Sequence, residues 1–281
     1  MPMTSREAAS ALDDGEARKS TTANGANYVI CAGVGKIYGS RKAKYEALRD
    51  VSFAAAEREF VSLLGPSGCG KTTVLMMVGG LEVATSGRIT IGGTEVTGPR
   101  TDIGIMFQDP TLLPWKTALE NVLFPVRIMR RPIGDYRGHA EELLSVVGLA
   151  NFRHKKPLEL SGGMRQRVAL CRALIHEPRL LLMDEPFSAL DAITRDEMNI
   201  VLTEMWTRFR STALFVTHSI REAVFLSDRV IVLGQHPSTI IADVRIEFPR
   251  PREVTLNETA AFNEVCGFLR SKIELAHSTR S

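Results

Sequence analysis

Gly65-Pro66-Ser67-Gly68-Cys69-Gly70-Lys71-Thr72 satisfies the spacing G-x-x-x-x-G-K-[ST]. The apolar run Phe60-Val61-Ser62-Leu63-Leu64 precedes it and Thr73-Val74-Leu75-Met76-Met77 follows, so it stands where a buried strand turns into a helix. A turn of this composition binds polyphosphate. Its glycines let successive backbone N–H groups point inward, the helix N-terminus adds partial positive charge, and Lys71 adds a full one. The Thr72 hydroxyl is available to Mg2+. A glycine-rich turn can also arise by chance, so the reading depends on what else a nucleotide-hydrolysing site needs.

Two such parts occur downstream. Leu180-Leu181-Leu182-Met183-Asp184-Glu185-Pro186 is an apolar run ending in two acids, which predicts a buried strand with carboxylates at its C-terminal edge, where open parallel sheets place ligands. Asp184 suits Mg2+, usually through water, because hard cations take carboxylate oxygens and Mg2+ keeps much of its hydration shell. Glu185 is then the general base or orienting group for an attacking water. A bare Asp-Glu pair at a strand end is common in α/β proteins; the phosphate loop in the same chain is what favours the functional reading. Ser161-Gly162-Gly163, followed by Arg165-Gln166-Arg167, predicts a helix start that presents a hydroxyl and unobstructed N–H groups to an anion. A plain N-cap would need the serine but neither glycine.

Taken together, the phosphate loop, Gln108 after Ile103-Gly104-Ile105-Met106-Phe107, Leu160-Ser161-Gly162-Gly163, Asp184-Glu185, Ser188-Ala189-Leu190-Asp191 and Thr217-His218 resemble the ATPase subunit of an ATP-binding cassette (ABC) transporter. The resemblance covers roughly residues 28–245. It implies an α/β fold of the P-loop NTPase type, a RecA-like core with an antiparallel β subdomain and an inserted α-helical subdomain that carries the Ser161-Gly162-Gly163 signature. It implies ATP and Mg2+ as ligands. Gly65, Pro66, Ser67, Gly68, Cys69, Gly70, Lys71, Thr72 and Thr73 would hold the phosphates, and Tyr38 would stack on adenine. Thr72, Gln108 and Asp184 would serve the metal; Lys71, Gln108, Glu185 and His218 would carry the chemistry. Ser161, Gly162, Gly163 and Asp191 would meet nucleotide bound to a second copy, giving a homodimer with two ATPs between its cassettes. For Tyr38, amphipathic packing is the alternative, and Gln108 rests on the resemblance alone. Ser219 stands after His218 where many relatives carry an acid.

The composition agrees with a cassette and says little more. With 44% hydrophobic residues among 281, the chain has ample core-forming content. Lys plus Arg, 35, nearly balance Asp plus Glu, 32, which gives no electrostatic case for nucleic acid. No apolar run approaches the length needed to cross a bilayer. The start, with Asp13, Asp14 and Glu16 and no apolar centre, is unlike a secretory signal. The expectation is a protein held peripherally at the cytoplasmic face of the cell membrane. Cys31, Cys69, Cys171 and Cys266 show no C-x-x-C spacing and suit a reducing compartment. Cys69, near Lys71 and a helix N-terminus, is expected to be an acidic, alkylatable thiol. Histidines other than His218 are expected at the surface or in turns.

Along the chain, residues 1–27 read as a mobile tail, 28–245 as the ATPase domain with its helical subdomain at about 109–176, and 246–281 as an extension. Short strands are expected before Ile91, a helix over 71–78, and helices over 117–129, 136–147 and 161–175. Met198, Val201, Leu202, Met205 and Phe209 form a core stripe, and apolar spacing over 256–275 predicts an amphipathic closing helix. A cassette on its own chain suggests an importer with separate permease subunits and a substrate-binding protein. Phe107-Gln108-Asp109-Pro110-Thr111-Leu112-Leu113-Pro114-Trp115 and Glu222-Ala223-Val224-Phe225-Leu226 look like the nitrate/sulfonate/taurine subfamily. Importers of other small solutes such as vitamin precursors, a soluble non-transport ABC ATPase and a phosphate-loop kinase are the alternatives. An exposed Leu112-Leu113-Pro114-Trp115 would seat a permease helix; burial within the helical subdomain is the competing reading.

Overall fold

The computed structural model describes residues 27–40, 43–235 and 237–278, so the tail expected over the first residues lies outside the described region up to Asn27, which already belongs to a strand. Four apolar runs form strands buried along their whole length: β3 (Phe60–Leu64), β7 (Leu180–Asp184), β8 (Thr212–Thr217) and β9 (Arg229–Leu233). Strands that bury both faces read as continuous apolar runs because helices or another sheet cover each side. With β6 (Ile103–Met106) and β10 (Ile240–Arg245) they make a six-stranded sheet in the order β10-β9-β3-β8-β7-β6. All pairings are parallel except that of edge strand β10 with β9.

Alternate residues of these strands serve two cores. Val61, Leu63, Leu182, Leu214 and Val216 face helix α1 (Lys71–Val78) and a second sheet; Phe60, Leu64, Leu181, Met183 and Phe215 face the remaining helices. The second sheet is antiparallel, in the order β2-β1-β4-β5, from β1 (Asn27–Ser40), β2 (Ala43–Ala56), β4 (Ser86–Ile91) and β5 (Thr94–Glu95). Its first two strands are 14 residues each, longer than the short runs expected, and bulges break their register where Gly33 and Gly35 interrupt the alternation.

Between β6 and β7 the chain is helical: α2 (Ala118–Val122), α3 (Phe124–Ile128), α4 (Ile133–Val146) and α5 (Gly162–Leu174). The single helix expected over 117–129 is therefore two. Thr117 and Glu120 close a capping box on α2, and Pro125, which lacks an N–H, occupies the first turn of α3 instead of continuing α2. Next come α6 (Ala192–Phe209), α7 (Ile220–Leu226) and α8 (Ala260–Ser278). Met198, Leu202 and Met205 of α6 are fully buried. A 3-10 turn over Val254–Glu258 delays the last helix to Ala260, where Phe262, Cys266 and Leu269 turn inward. His139, half-buried on α4, is neither at the surface nor in a turn as expected, whereas His176, also half-buried, does lie in a turn; burial pulls His176 below the ordinary imidazole range.

Candidate nucleotide-binding and hydrolysis site

The turn from β3 into α1 is built on glycines that tolerate no side chain. A Cβ on Gly65 would lie 2.7 Å from the Leu233 carbonyl, and one on Gly70, at φ +93, would lie 2.7 Å from Leu48 Cδ2. Lys71 is buried within the loop it follows, its Nζ donating to the carbonyls of Gly65 and Pro66 at 2.9 Å each. The ammonium is thus held at the centre of the turn, 3.6 Å from the Glu185 carboxylate.

Parallel pairing of β7 with β8 sets Asp184 beside Val216 and brings both strand ends to the same edge. Thr72 Oγ1 donates to Asp184 Oδ1 at 2.8 Å. Glu185 takes φ +42, a left-handed conformation unusual for a residue with a side chain, and its N–H donates to the Val216 carbonyl at 2.9 Å. That backbone twist turns its carboxylate across the strand ends, where Oε2 lies 2.8 Å from Nδ1 of His218. The two oxygens of Glu185 are therefore shared between a cation and an imidazole, an arrangement able to orient a water and take its proton.

Lys71, Thr72, Asp184 and Glu185 border a cleft of about 390 Å3 that Tyr38, Ser67, Gly68, Thr73 and Gln108 also line; His218 stands behind Glu185 and does not line it. Tyr38 stands at its mouth, its hydroxyl 3.3 Å from Thr73 Oγ1 and the Lys36 ammonium 4.9 Å from its ring centroid. Tyr45, the cross-strand partner of Tyr38, also lines the cleft. Sequence reasoning missed it because the pairing exists only once the register of the β1–β2 hairpin is set. Gln108 reaches the rim, and its carbonyl accepts from Gln166 Nε2 of α5 at 2.9 Å. A larger cleft, about 540 Å3, lies where Glu57, Arg179 and Arg208 meet, and none of the site residues read from the sequence lines it.

Thr72, Asp184 and Gln108 offer a hydroxyl, a carboxylate and an amide to the cleft, the hard oxygen donors that Mg2+ selects. Burial pushes the Asp184 carboxyl above its ordinary range, more than Thr72 and Lys71 pull it down, so this anion gains from a cation beside it. Among the described residues no group of three or more His, Cys, Asp or Glu forms a self-contained metal cage.

Ser161, Gly162, Gly163 and Asp191 do not line the cleft. Ser161 caps α5 by accepting from the Met164 N–H at 3.2 Å, and Asp191 caps α6 by accepting from the Thr194 N–H at 3.0 Å and Oγ1 at 2.7 Å. The two helix starts touch: a Cβ on Gly163 would lie 2.7 Å from Thr194 Cγ2. Ser161 and Asp191 are exposed, so both helix starts face solvent away from the cleft.

Cys69 departs from expectation. Its side chain turns beneath the loop and is 1% exposed, and burial raises its thiol above the ordinary range despite the opposing pull of Lys71. Trp115 is 68% exposed, whereas Leu112 and Leu113 are half-buried and Leu112 packs on the core.

The family model described as ABC transporter matches residues 48–188. The nitrate import ATP-binding protein NrtD of Synechococcus elongatus is 42% identical over 223 residues, 78% of this chain and 81% of that one. The taurine import ATP-binding protein TauB of Jannaschia sp. is 44% identical over 203 residues, 72% of this chain and 76% of that one. The bicarbonate transport ATP-binding protein CmpD of Synechocystis sp. is 41% identical over 229 residues, 80% of this chain and 81% of that one. The solved ATP-binding cassette MJ0796, a dimer in a post-hydrolysis state bound to ADP and Pi, superposes with a TM-score of 0.69 at 32% identity, covering 79% of this chain and all of that one. The chain belongs to the ABC transporter family, as an ATP-hydrolysing cassette of the P-loop α/β fold.

Proposed function

We propose that this chain is the ATPase subunit of an importer for a small anion or zwitterion, acting at the membrane as a pair of cassettes docked on permease subunits. The observation that carries the reading is the shared Glu185 carboxylate, 2.8 Å from His218 and 3.6 Å from Lys71, at the strand edge that holds the phosphate loop. Relatives named for nitrate, bicarbonate and taurine import at about equal identity support a cargo of this class and do not separate one from another. Cargo is selected by the permease and a substrate-binding protein, so the cassette need not encode it.

In the mechanism, the phosphate-loop amides and Lys71 bind the β- and γ-phosphates and take up the charge that develops on them. Tyr38 holds the base. Glu185 orients the attacking water and accepts its proton, and His218 fixes the Glu185 carboxylate and faces the γ-phosphate. When bound, Mg2+ at Thr72, Asp184 and Gln108 supplies charge neutralisation of the phosphates. Ser161 and Asp191, exposed outside the cleft, and the Gly162 and Gly163 turn beside Ser161 close over nucleotide held by the second copy. Binding free energy thereby clamps the pair, and release of ADP and phosphate reopens it. Residues 109–176 are the subdomain through which this motion reaches the permease, and Gln108 joins it to the cleft through its contact with Gln166.

The test is affinity capture of tagged Glu185→Gln with ATP from detergent-solubilised native membranes, with mass spectrometry of what accompanies it. A polytopic permease is the expected partner, after which uptake of labelled nitrate, bicarbonate and taurine is compared in cells with and without it. Recovery only with ribosomes or DNA would overturn the importer reading.

A further inference from the structure

Glu222 is an acid buried where no apolar packing argument asks for one. It lies on α7, just after His218, and is 6% exposed. Its Oε2 accepts from Thr217 Oγ1 at 2.6 Å, and the same Thr217 oxygen accepts from the Ser219 N–H at 2.9 Å. The residues on both sides of His218 are thus fastened to one carboxylate. The other oxygen, Oε1, makes no hydrogen bond and stands 3.6 Å from Nε of Arg195. Arg195 lies in the first turn of α6, and its guanidinium donates to the Phe187 carbonyl at 3.3 Å and the Leu190 carbonyl at 2.7 Å. Those carbonyls belong to the loop that runs from Glu185 to Asp191.

We propose that Arg195 and Glu222 form a brace that positions His218 relative to the Glu185–Asp191 loop, so that a displacement of Asp191 at the outer face is passed to the catalytic pair. The inference rests on the proposed roles of Glu185, His218 and Asp191. An ion pair with one buried partner is a poor device for stability, because desolvation of the Glu222 charge offsets its attraction to the partly exposed Arg195. It is a good device for fixing geometry, since a planar guanidinium can hold two carbonyls and a carboxylate at once. The single N–H of Arg195 Nε is given to the Phe187 carbonyl at 3.3 Å, so a closer approach to Glu222 across the 3.6 Å gap shares that proton between the loop carbonyl and the carboxylate. A shift of under about 1 Å in the Asp191 loop closes or opens it, and errors of that size at a reacting centre cost on the order of a hundredfold in rate.

The experiment compares Glu222→Gln, Arg195→Met, Arg195→Lys and the double variant Arg195→Met/Glu222→Gln in the full chain. It measures kcat and KM for MgATP and the thermal midpoint, with Glu185→Gln alongside. The brace predicts that each single variant loses roughly tenfold or more in kcat while KM moves less than about twofold, the split expected for misplaced catalytic groups. Arg195→Lys should not rescue, because an ammonium cannot span all three partners. The double variant leaves no unpaired buried charge, so its thermal midpoint should recover while its kcat stays at the level of the single variants. Recovery of kcat together with the midpoint would reduce the pair to charge compensation and overturn the brace. Wild-type kcat in both single variants, with Glu185→Gln inactive, would also sink the brace and leave the site reading standing; normal turnover by Glu185→Gln would remove the site reading and the brace with it. Should Glu222→Gln fail to fold, Arg195→Met, whose side chain is partly exposed, decides the question.

Discussion

Tyr38 and Cys69 both flank the phosphate loop, and the structure separates what each can do. Tyr38 lines the cleft at its mouth while its hydroxyl meets Thr73, so its ring face is the surface a base can stack on. Tyr38→Ala should weaken MgATP binding by about 1 to 2 kcal/mol, as base stacking on aromatics does, and leave binding of Mg-tripolyphosphate unchanged; equal losses for both ligands, measured by calorimetry, would make Tyr38 a packing residue of the loop. For Cys69 the sign is the reverse of what loop position suggests. Thiolate is the reactive form, and a buried thiol raised above the usual range carries less of it at neutral pH. Iodoacetamide should modify Cys69 in the folded protein more slowly than a free cysteine, with the rate rising as pH climbs. Prompt inactivation at pH 7 with Cys69 as the modified residue would show that the loop opens readily. The contrast marks what is legible in sequence at this scale. Lys71, Thr72, Asp184 and Glu185 announce themselves because their chemistry depends on neighbours within one turn or one strand end. Tyr45, Arg195 and Glu222 do not, because their partners are brought together only by hairpin register or helix packing.

At the scale of elements, the buried strands of the central sheet could be read directly, since continuous apolar runs have few other uses. Helix ends were less legible: the break at Leu123 depends on Pro125, which has no N–H to continue the α2 bonding pattern. The connection between α7 and the C-terminal segment was not legible at all. There Arg252, 5% exposed, donates to the carbonyls of Val224, Phe225 and Ser227 at 3.2, 2.8 and 2.8 Å and so satisfies the C-terminal end of α7. A cation at that end of a helix also meets the negative pole of its dipole. Burial, and after it the neighbouring Arg250 charge, pull the guanidinium down to about 10. Arg252→Met should therefore cost about 2 to 4 kcal/mol of unfolding free energy in urea, because several carbonyls lose a buried, charged donor. Since α7 follows His218 directly, the same substitution should lower turnover; a loss below about 0.5 kcal/mol would mean that water replaces the guanidinium, as at ordinary surface positions.

For the whole molecule, the proposed function requires the nucleotide cleft and a permease to communicate, and the helices between β6 and β7 are the segment proposed to carry that coupling. Trp115 is the candidate contact on the outer side of that segment. Its neighbourhood is tied to the chain just after the 3-10 turn at Ala150–Phe152, the Ala118 N–H donating to the Lys155 carbonyl and the Leu119 N–H to that of Arg153, at 2.8 and 3.0 Å. Leu158, 90% exposed, adds a second apolar side chain on the same segment. Leu112, by contrast, is occupied in the core and anchors the loop from beneath, which is why the four-residue apolar run does not act as one exposed patch. An aromatic so exposed on a charged surface is a natural anchor for a partner helix, and anchors of this kind carry about 2 kcal/mol or more of an interface. Trp115→Ala should then leave the thermal midpoint and the ATPase rate of the purified chain within error of the parent. Uptake in cells should fall at least tenfold, and co-purification of the permease should weaken in parallel. Because Trp115 touches neither the cleft nor the core, the alternatives separate cleanly: unfolding would assign it to packing, and undiminished uptake would move the contact elsewhere on the helical segment.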